Sequence, residues 1–328
     1  MKKAIVITSI FEPTEAVRKF SQLDEYALYV IGDQKSPVDW YCENSTYCSV
    51  KEQEKLPYEL VKVLPFNHYS RKMIGYLLAI EKGADLIIDT DDDNIPKSNW
   101  GFPEFNGHFD CVTQENHFVN VYGLFAKQKI WPRGLPLQFI NTECDFTRLI
   151  EKRPCKIGVW QGLADEDPDV DAIYRLTSDQ VCHFDERSPV VLSFKTACPF
   201  NTQNTMITKE LFPLLYLPTY VTFRFTDILR GLIAQPIMWL YGYQLGFTSA
   251  TVVQKRNPHD YFKDFISEIP MYEHAANVIP IVEGVLSSQN SISDNLYAAY
   301  CALMKESVVT ESELITLEAW LNDMKRFV

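Results

Sequence analysis

Asp89, Asp91, Asp92 and Asp93 fall within five consecutive positions, directly after the apolar run Leu86-Ile87-Ile88. Carboxylates this close repel one another unless a cation neutralises them. Their oxygens suit a hard cation such as Mg²⁺ or Mn²⁺, which keeps waters and accepts substrate phosphates as further ligands. The pattern points to a metal–diphosphate site, with Asp91 and Asp93 on the metal and Asp92 facing substrate. The plain alternative is a solvated acidic turn. A diphosphate also needs protein cations. Lys35 follows the second predicted strand, and Arg71-Lys72 open a predicted helix. A cation at a helix N-terminus opposes the dipole unless an anion is present, so Arg71 and Lys72 are expected to meet one. The alternative is two solvated charges. Two segments offer a carboxylate for general-base work. One is Asp227, at the start of a helix predicted over 228–243. The other is Asp165-Glu166-Asp167-Pro168-Asp169-Val170-Asp171, which supplies Asp169 as a second catalytic candidate and Asp171 as a substrate contact. An ordinary first-turn acid and a solvated loop are the respective alternatives. Nearby Trp160 is either an aromatic platform for a substrate or a core residue.

Composition bounds the answer. The chain has 328 residues, 46% hydrophobic and 23% charged, with a formal charge of −12. That acidic surplus argues against nucleic acid or an anionic membrane as partner. The 13 glycines include no pair two or five apart, which excludes G-x-G-x-x-G and G-x-x-x-x-G-K phosphate loops. The 8 cysteines form no C-x-x-C and read as reduced thiols. Neither H-E-x-x-H nor G-x-S-x-G occurs.

The elements that must position these residues alternate strand and helix over the first 100 positions. Strands are expected at 4–10, 27–31, 48–50 and 86–88, and a helix capped by Thr14 runs to about Phe20. Ser70 is expected to cap the helix ending near Gly83. This βαβ order predicts a mostly parallel sheet with helices on both faces and ligands beyond the strands' carboxyl ends. Residues 100–225 read as loop-rich. The uncharged stretch 231–254 reads as a buried helix followed by a strand at 246–253, since Gln235, Pro236 and Gln244 spoil a membrane span. Helices are expected at 272–286, 293–305 and 311–327. The division is 1–270 as catalytic domain and 271–328 as a C-terminal helical extension, in a soluble, cytoplasmic protein.

A strand ending in Asp-x-Asp near residue 90 resembles the GT-A nucleotide-sugar transferases. More closely, several strings are similar to the STELLO-type glycosyltransferases. They are 32–40 (GDQKSPVDW), 69–76 (YSRKMIGY), 90–94 (TDDDN), 167–177 (DPDVDAIYRLT), 199–205 (PFNTQNT) and 223–228 (FRFTDI). Met73 departs from the polar Asn of that pattern, and the membrane anchor of the plant members has no counterpart. The resemblance implies a GT-A-like fold and a metal-dependent transfer, Mn²⁺ or Mg²⁺ assisted, from a nucleotide sugar to a hydroxyl. A UDP-sugar donor is expected, with a glycan or glycolipid acceptor in surface polysaccharide or glycoconjugate assembly. It further implies that Thr8 and Asp33, at the first strand ends, meet base or ribose. It favours Asp227 as the base of an inverting reaction and brings His259 to the metal. A nucleotide-sugar mutase and a non-catalytic scaffold retaining the fold are the competing readings.

Overall fold

The computed structural model describes residues 1–114, 117–142, 150–255 and 260–327. The first part comprises β1 (Lys3–Thr8), α1 (Glu15–Phe20), β2 (Tyr26–Ile31), β3 (Ser45–Cys48), α2 (Val50–Gln53), α3 (Leu60–Val63), α4 (Lys72–Glu81) and β4 (Leu86–Thr90). The middle comprises β5 (Asn94–Pro96), β6 (Asn106–Val112), β7 (His117–Phe118), α5 (Tyr122–Phe125), β8 (Ile150–Glu166), α6 (Ala172–Thr177), β9 (Val190–Leu192), β10 (Thr196–Ala197) and β11 (Asn204–Thr208). The chain then runs through α7 (Thr226–Leu240), β12 (Gln244–Gln254), α8 (Tyr261–Glu283), α9 (Ile292–Lys305) and α10 (Glu311–Met324).

Ten strands form one sheet in the order β3-β2-β1-β4-β11-β8-β6-β9-β12-β5, with β8 also pairing β12. The run β3-β2-β1-β4 is parallel. Beyond β4 the expected mostly parallel sheet gives way to a mixed one. β11 lies antiparallel between β4 and β8, and β6 is antiparallel to β8. Antiparallel neighbours need no crossover helix, so the sheet grows through a region whose sequence shows no βαβ rhythm. That region holds the largest departure from expectation, the 17-residue strand β8.

Alternation along β1 and β4 divides the core. Ala4, Val6 and Ile87 join the cluster under α4 and α7 to α10, whereas Ile5, Ile7, Leu86 and Ile88 join the cluster under α1. Thr14 caps α1 as expected, its Oγ1 accepting the Val17 N–H. Ser70 does not cap α4. It lies in a short 3₁₀ turn capped by His68, whose ring accepts the Ser70 N–H. The C-terminal helix α10 is tied by buried acids to the loop before α7 and to the start of α3. Glu313 on α10 accepts the N–H groups of Thr219 and Tyr220, and Asp323 accepts those of Glu59 and Leu60. No described helix is long and apolar enough to cross a membrane.

Helix α4 sits close on the sheet because residue 75 lacks a side chain. A Cβ there would lie 2.5 Å from Val6 Cγ1 and 2.8 Å from Ile31 Cγ1. Gly75→Ala should therefore destabilise the protein by roughly 1 kcal/mol or more, the clash outweighing the ~1 kcal/mol helix-propensity gain. The urea midpoint should fall at unchanged slope. An unchanged or higher midpoint would show that this spacing has slack.

Candidate active site

The acidic strand end is built on a buried ion network. β4 is buried along its whole length, which carries Asp89 into the interior. The Lys72 ammonium, fully buried in the first turn of α4, lies 2.9 Å from Asp89 Oδ1 and 2.8 Å from Asp91 Oδ1, and donates to the Thr90 carbonyl. Arg230 of α7 meets the other Asp89 oxygen at 2.7 Å. Burial works against the Lys72 charge, but Asp89 and Asp91 outweigh it and hold its pKa above the ordinary value. The expectation that a cation at this helix start needs an anion therefore holds, but the anion is internal. Lys72 lines neither of the two cavities at this strand end and is corrected from phosphate ligand to counter-ion of the acidic cluster.

Asp91, Asp92 and Asp93 open into a cavity of about 230 Å³ that is also lined by Arg133, Asp169, Asp227, Arg224 and Tyr69. Burial pushes the Asp91 carboxyl up to about 7; Lys72 opposes this and Asp93 adds to it. Asp92 accepts from Ser9 Oγ at 2.5 Å, and Asp93 accepts from Gln254 Nε2 at 3.2 Å. The cavity's far wall is organised by Arg133. Its guanidinium donates to Asp169 at 2.7 and 2.8 Å and to Asp227 at 2.9 Å. Tyr69 Oη lies 3.3 Å from Asp227 Oδ1 and accepts the Asp227 N–H at 3.1 Å. Asp227 thus sits in the first turn of α7 with its side chain turned into the cavity rather than capping the helix. Sequence reasoning missed Arg133, Tyr69 and Arg230. Their partners lie far along the chain, Asp227 being 94 residues from Arg133.

A second cavity of about 220 Å³ shares Thr8, Tyr69, Asp92 and Phe223 with the first. Its walls include Asp33, Lys35, His68 and Arg71. Here Thr8, Asp33, Lys35 and Arg71 come together as the sequence suggested. Asp33 accepts the N–H of His68 at 3.2 Å and of Gln34 at 2.7 Å. The Arg71 guanidinium is held by Gln53 and the Leu64 carbonyl. Burial drives the His68 pKa down to about 4 against the pull of Asp33, so the ring is neutral near pH 7. His68 stacks on Tyr69 at 5.4 Å, and Phe223 packs edge-on to Tyr69 at 4.6 Å. Together the two cavities fall within the ~300–1,000 Å³ usual for small-molecule sites.

The family model for STELLO glycosyltransferases matches residues 224–328. Two Arabidopsis thaliana proteins, "Probable glycosyltransferase STELLO1" and "Probable glycosyltransferase STELLO2", are 28% and 27% identical to this chain over 98% of it. The chain is similar to the STELLO glycosyltransferases. It spans 44% of the length of those two relatives. A solved structure titled "Crystal Structure of a Mycobacterial Protein" aligns over 94% of this chain and 76% of its own, at 9% identity and a TM-score of 0.36. The STELLO match begins at Arg224 and so takes in Asp227 and Arg230.

Two of the candidates shared with the STELLO strings or their surroundings lie away from the cavities. Trp160 is fully buried, edge-on to Phe109 at 5.3 Å and beneath Gly246, where a Cβ would lie 2.2 Å from its ring. It is a core residue of β8, not a sugar platform. Asp171 is fully buried as the N-cap of α6, accepting from Tyr174 N–H and from Trp131 Nε1 at 2.7 Å. Its role is a cap, since its oxygens face main chain and indole. His259 lies outside the described residues.

Burial raises the Asp171 carboxyl to about 6 despite hydrogen bonds from Tyr174 and Trp131. The unfolded value is about 3.9. A raised folded pKa means that stability is fullest below the unfolded value and is lost as pH climbs through about 6. Asn caps as well as Asp. Asp171→Asn should therefore gain stability relative to the parent between about pH 4 and 6, while ligand binding stays unchanged. Thermal melts across that range check it, and a loss of nucleotide binding would return Asp171 to the substrate.

Proposed function

We propose that this protein is a divalent-cation-dependent glycosyltransferase that moves a sugar from a nucleotide diphosphate, most simply UDP, to a hydroxyl of a glycan or glycolipid. The observation that carries the reading is the charge of the first cavity. Five carboxylates, Asp91, Asp92, Asp93, Asp169 and Asp227, line it against two guanidiniums, Arg133 and Arg224. Its donors at the Asp91 end are hard oxygens, and burial and Asp93 push the Asp91 carboxyl up to about 7, a shift that a cation beside it would reverse. That donor set fits Mg²⁺ or Mn²⁺. Asp91 and Asp93 would hold the ion, whose charge supports a departing diphosphate. The likeness to the STELLO glycosyltransferases supports the same reaction class.

The second cavity suits the nucleoside. Thr8 and Asp33 offer hydrogen-bonding groups to base or ribose, the Tyr69–His68–Phe223 cluster offers aromatic surface, and Lys35 and Arg71 offer cations toward phosphate. Sugar and acceptor then fall in the first cavity. Asp227, oriented by Arg133 and Tyr69, takes the proton of the acceptor hydroxyl as it attacks the anomeric carbon, with inversion. Asp169 shares the same guanidinium and sets its position.

Calorimetric titration of UDP with and without Mn²⁺ tests the cation. Wild type should bind UDP tightly only with Mn²⁺, and Asp91→Asn or Asp93→Asn should abolish that dependence while the fold survives. Equal UDP binding with and without Mn²⁺ in wild type would sink the metal reading. Asp227→Asn should slow transfer by at least about a hundredfold and leave donor affinity nearly unchanged. A fully active variant would move the base elsewhere.

A further inference from the structure

Resting on that reading, we infer that the transferred sugar is electrically neutral, a hexose or pentose rather than a uronic or other acidic sugar. The cavity's positive charge is taken up within the protein. Arg133 spends its charge on Asp169 and Asp227, with contacts of 2.7–2.9 Å, and both carboxylates line the same wall. Arg224 pairs with the buried Glu268 at 2.6 Å and donates to the Val170 carbonyl. Lys72 lies behind Asp91, fully buried and bridged to two carboxylates. Lys35 and Arg71 belong to the adjoining cavity.

Among the described residues, then, every cation on the first cavity's wall already faces a carboxylate. The five acids lining it exceed the two guanidiniums by three charges, and by two once Lys72 is set against Asp91. A bound divalent cation and the two charges of a sugar-diphosphate linkage cancel, so the ternary site stays as acidic around the sugar as the empty one. The groups left to meet a sugar are hydroxyl and amide, from Tyr69, Thr202, Gln203 and Gln254, together with carboxylate oxygens that accept from sugar hydroxyls. A sugar carboxylate would enter among like charges without a cation to meet it, which is the arrangement that rejects a ligand by repulsion.

Matched donors test this, each pair differing only in the oxidation of C6. UDP-glucose and UDP-glucuronate, and UDP-galactose and UDP-galacturonate, are titrated into the full chain with Mn²⁺ at pH 7.5, with UDP as reference. In at least one pair the neutral donor should bind as well as UDP or better. Its uronate should bind at least about tenfold more weakly. Asp169→Asn removes one wall charge and should narrow that ratio; if that variant fails to fold, the wild-type ratio alone decides. Uronates binding as tightly as their neutral partners would overturn the inference while leaving the nucleotide reading intact. Absence of Mn²⁺-dependent UDP binding would overturn both.

Discussion

The buried ammonium of Lys72 is the contact on which the rest of the site depends. It bridges Asp89, buried on β4, and Asp91, just past the strand's end and open to the cavity, while Arg230 brings α7 to Asp89. Removing one partner from a buried ion network leaves an uncompensated charge, at a cost of about 3–5 kcal/mol. The network therefore fixes three things together: the end of β4, the first turn of α4 and the first half of α7. The end of β4 and the first turn of α7 each carry a wall of the cavity, and α4 packs behind them. Lys72 and Arg230 match Asp89 and Asp91 in charge, and Asp92 and Asp93 add two further carboxylates, so the strand end still has reason to take a cation.

A second layer of buried acids fixes the opposite wall. Glu313 of α10 receives the main-chain N–H groups of Thr219 and Tyr220, and the Tyr216 hydroxyl, and Glu268 of α8 grips Arg224. Burial raises the Glu313 carboxyl, with hydrogen bonds from Tyr216, Tyr220 and Thr219 opposing. The loop carrying Phe223 and Arg224 is thus shaped by the C-terminal helices. Physically these helices are part of the site's scaffold, and they share one apolar cluster with α4 and the sheet. The STELLO family match over 224–328 covers this same stretch of wall and scaffold.

Much of this was legible in the residues. Continuous apolar runs gave β1, β2 and β4 within a residue or two, and the uncharged stretch after Gly231 resolved into α7 and β12 as expected. The acidic cluster at the end of β4 marked the cavity, and Thr8, Asp33, Lys35, Asp169 and Asp227 do line the paired cavities. What stayed hidden has a common cause. β8 carries charges and a proline over 150–156, where it pairs β6 at an exposed edge of the structure, and glycines at 158 and 162 interrupt its apolar half. Those glycines leave room for Leu211 and Asn204, neighbours far away in sequence. Arg133 stands between Pro132 and Gly134 with no periodic pattern around it. Its meaning comes only from two aspartates that the fold brings to it. Lys72 was marked as a cation needing an anion, but no local pattern says that its anions are Asp89 on β4 and Asp91 just past it rather than a ligand.

We propose that the end of β4 holds a divalent cation that carries a nucleotide diphosphate. The most direct measurement is anomalous diffraction at the manganese edge from crystals grown with Mn²⁺ and UDP. The account predicts one strong peak bonded to a carboxylate oxygen of Asp91 or Asp93, with diphosphate oxygens completing its shell and the uridine in the cavity between Asp33 and Tyr69. UDP seated there without a manganese peak, or manganese bound away from both aspartates, would contradict it.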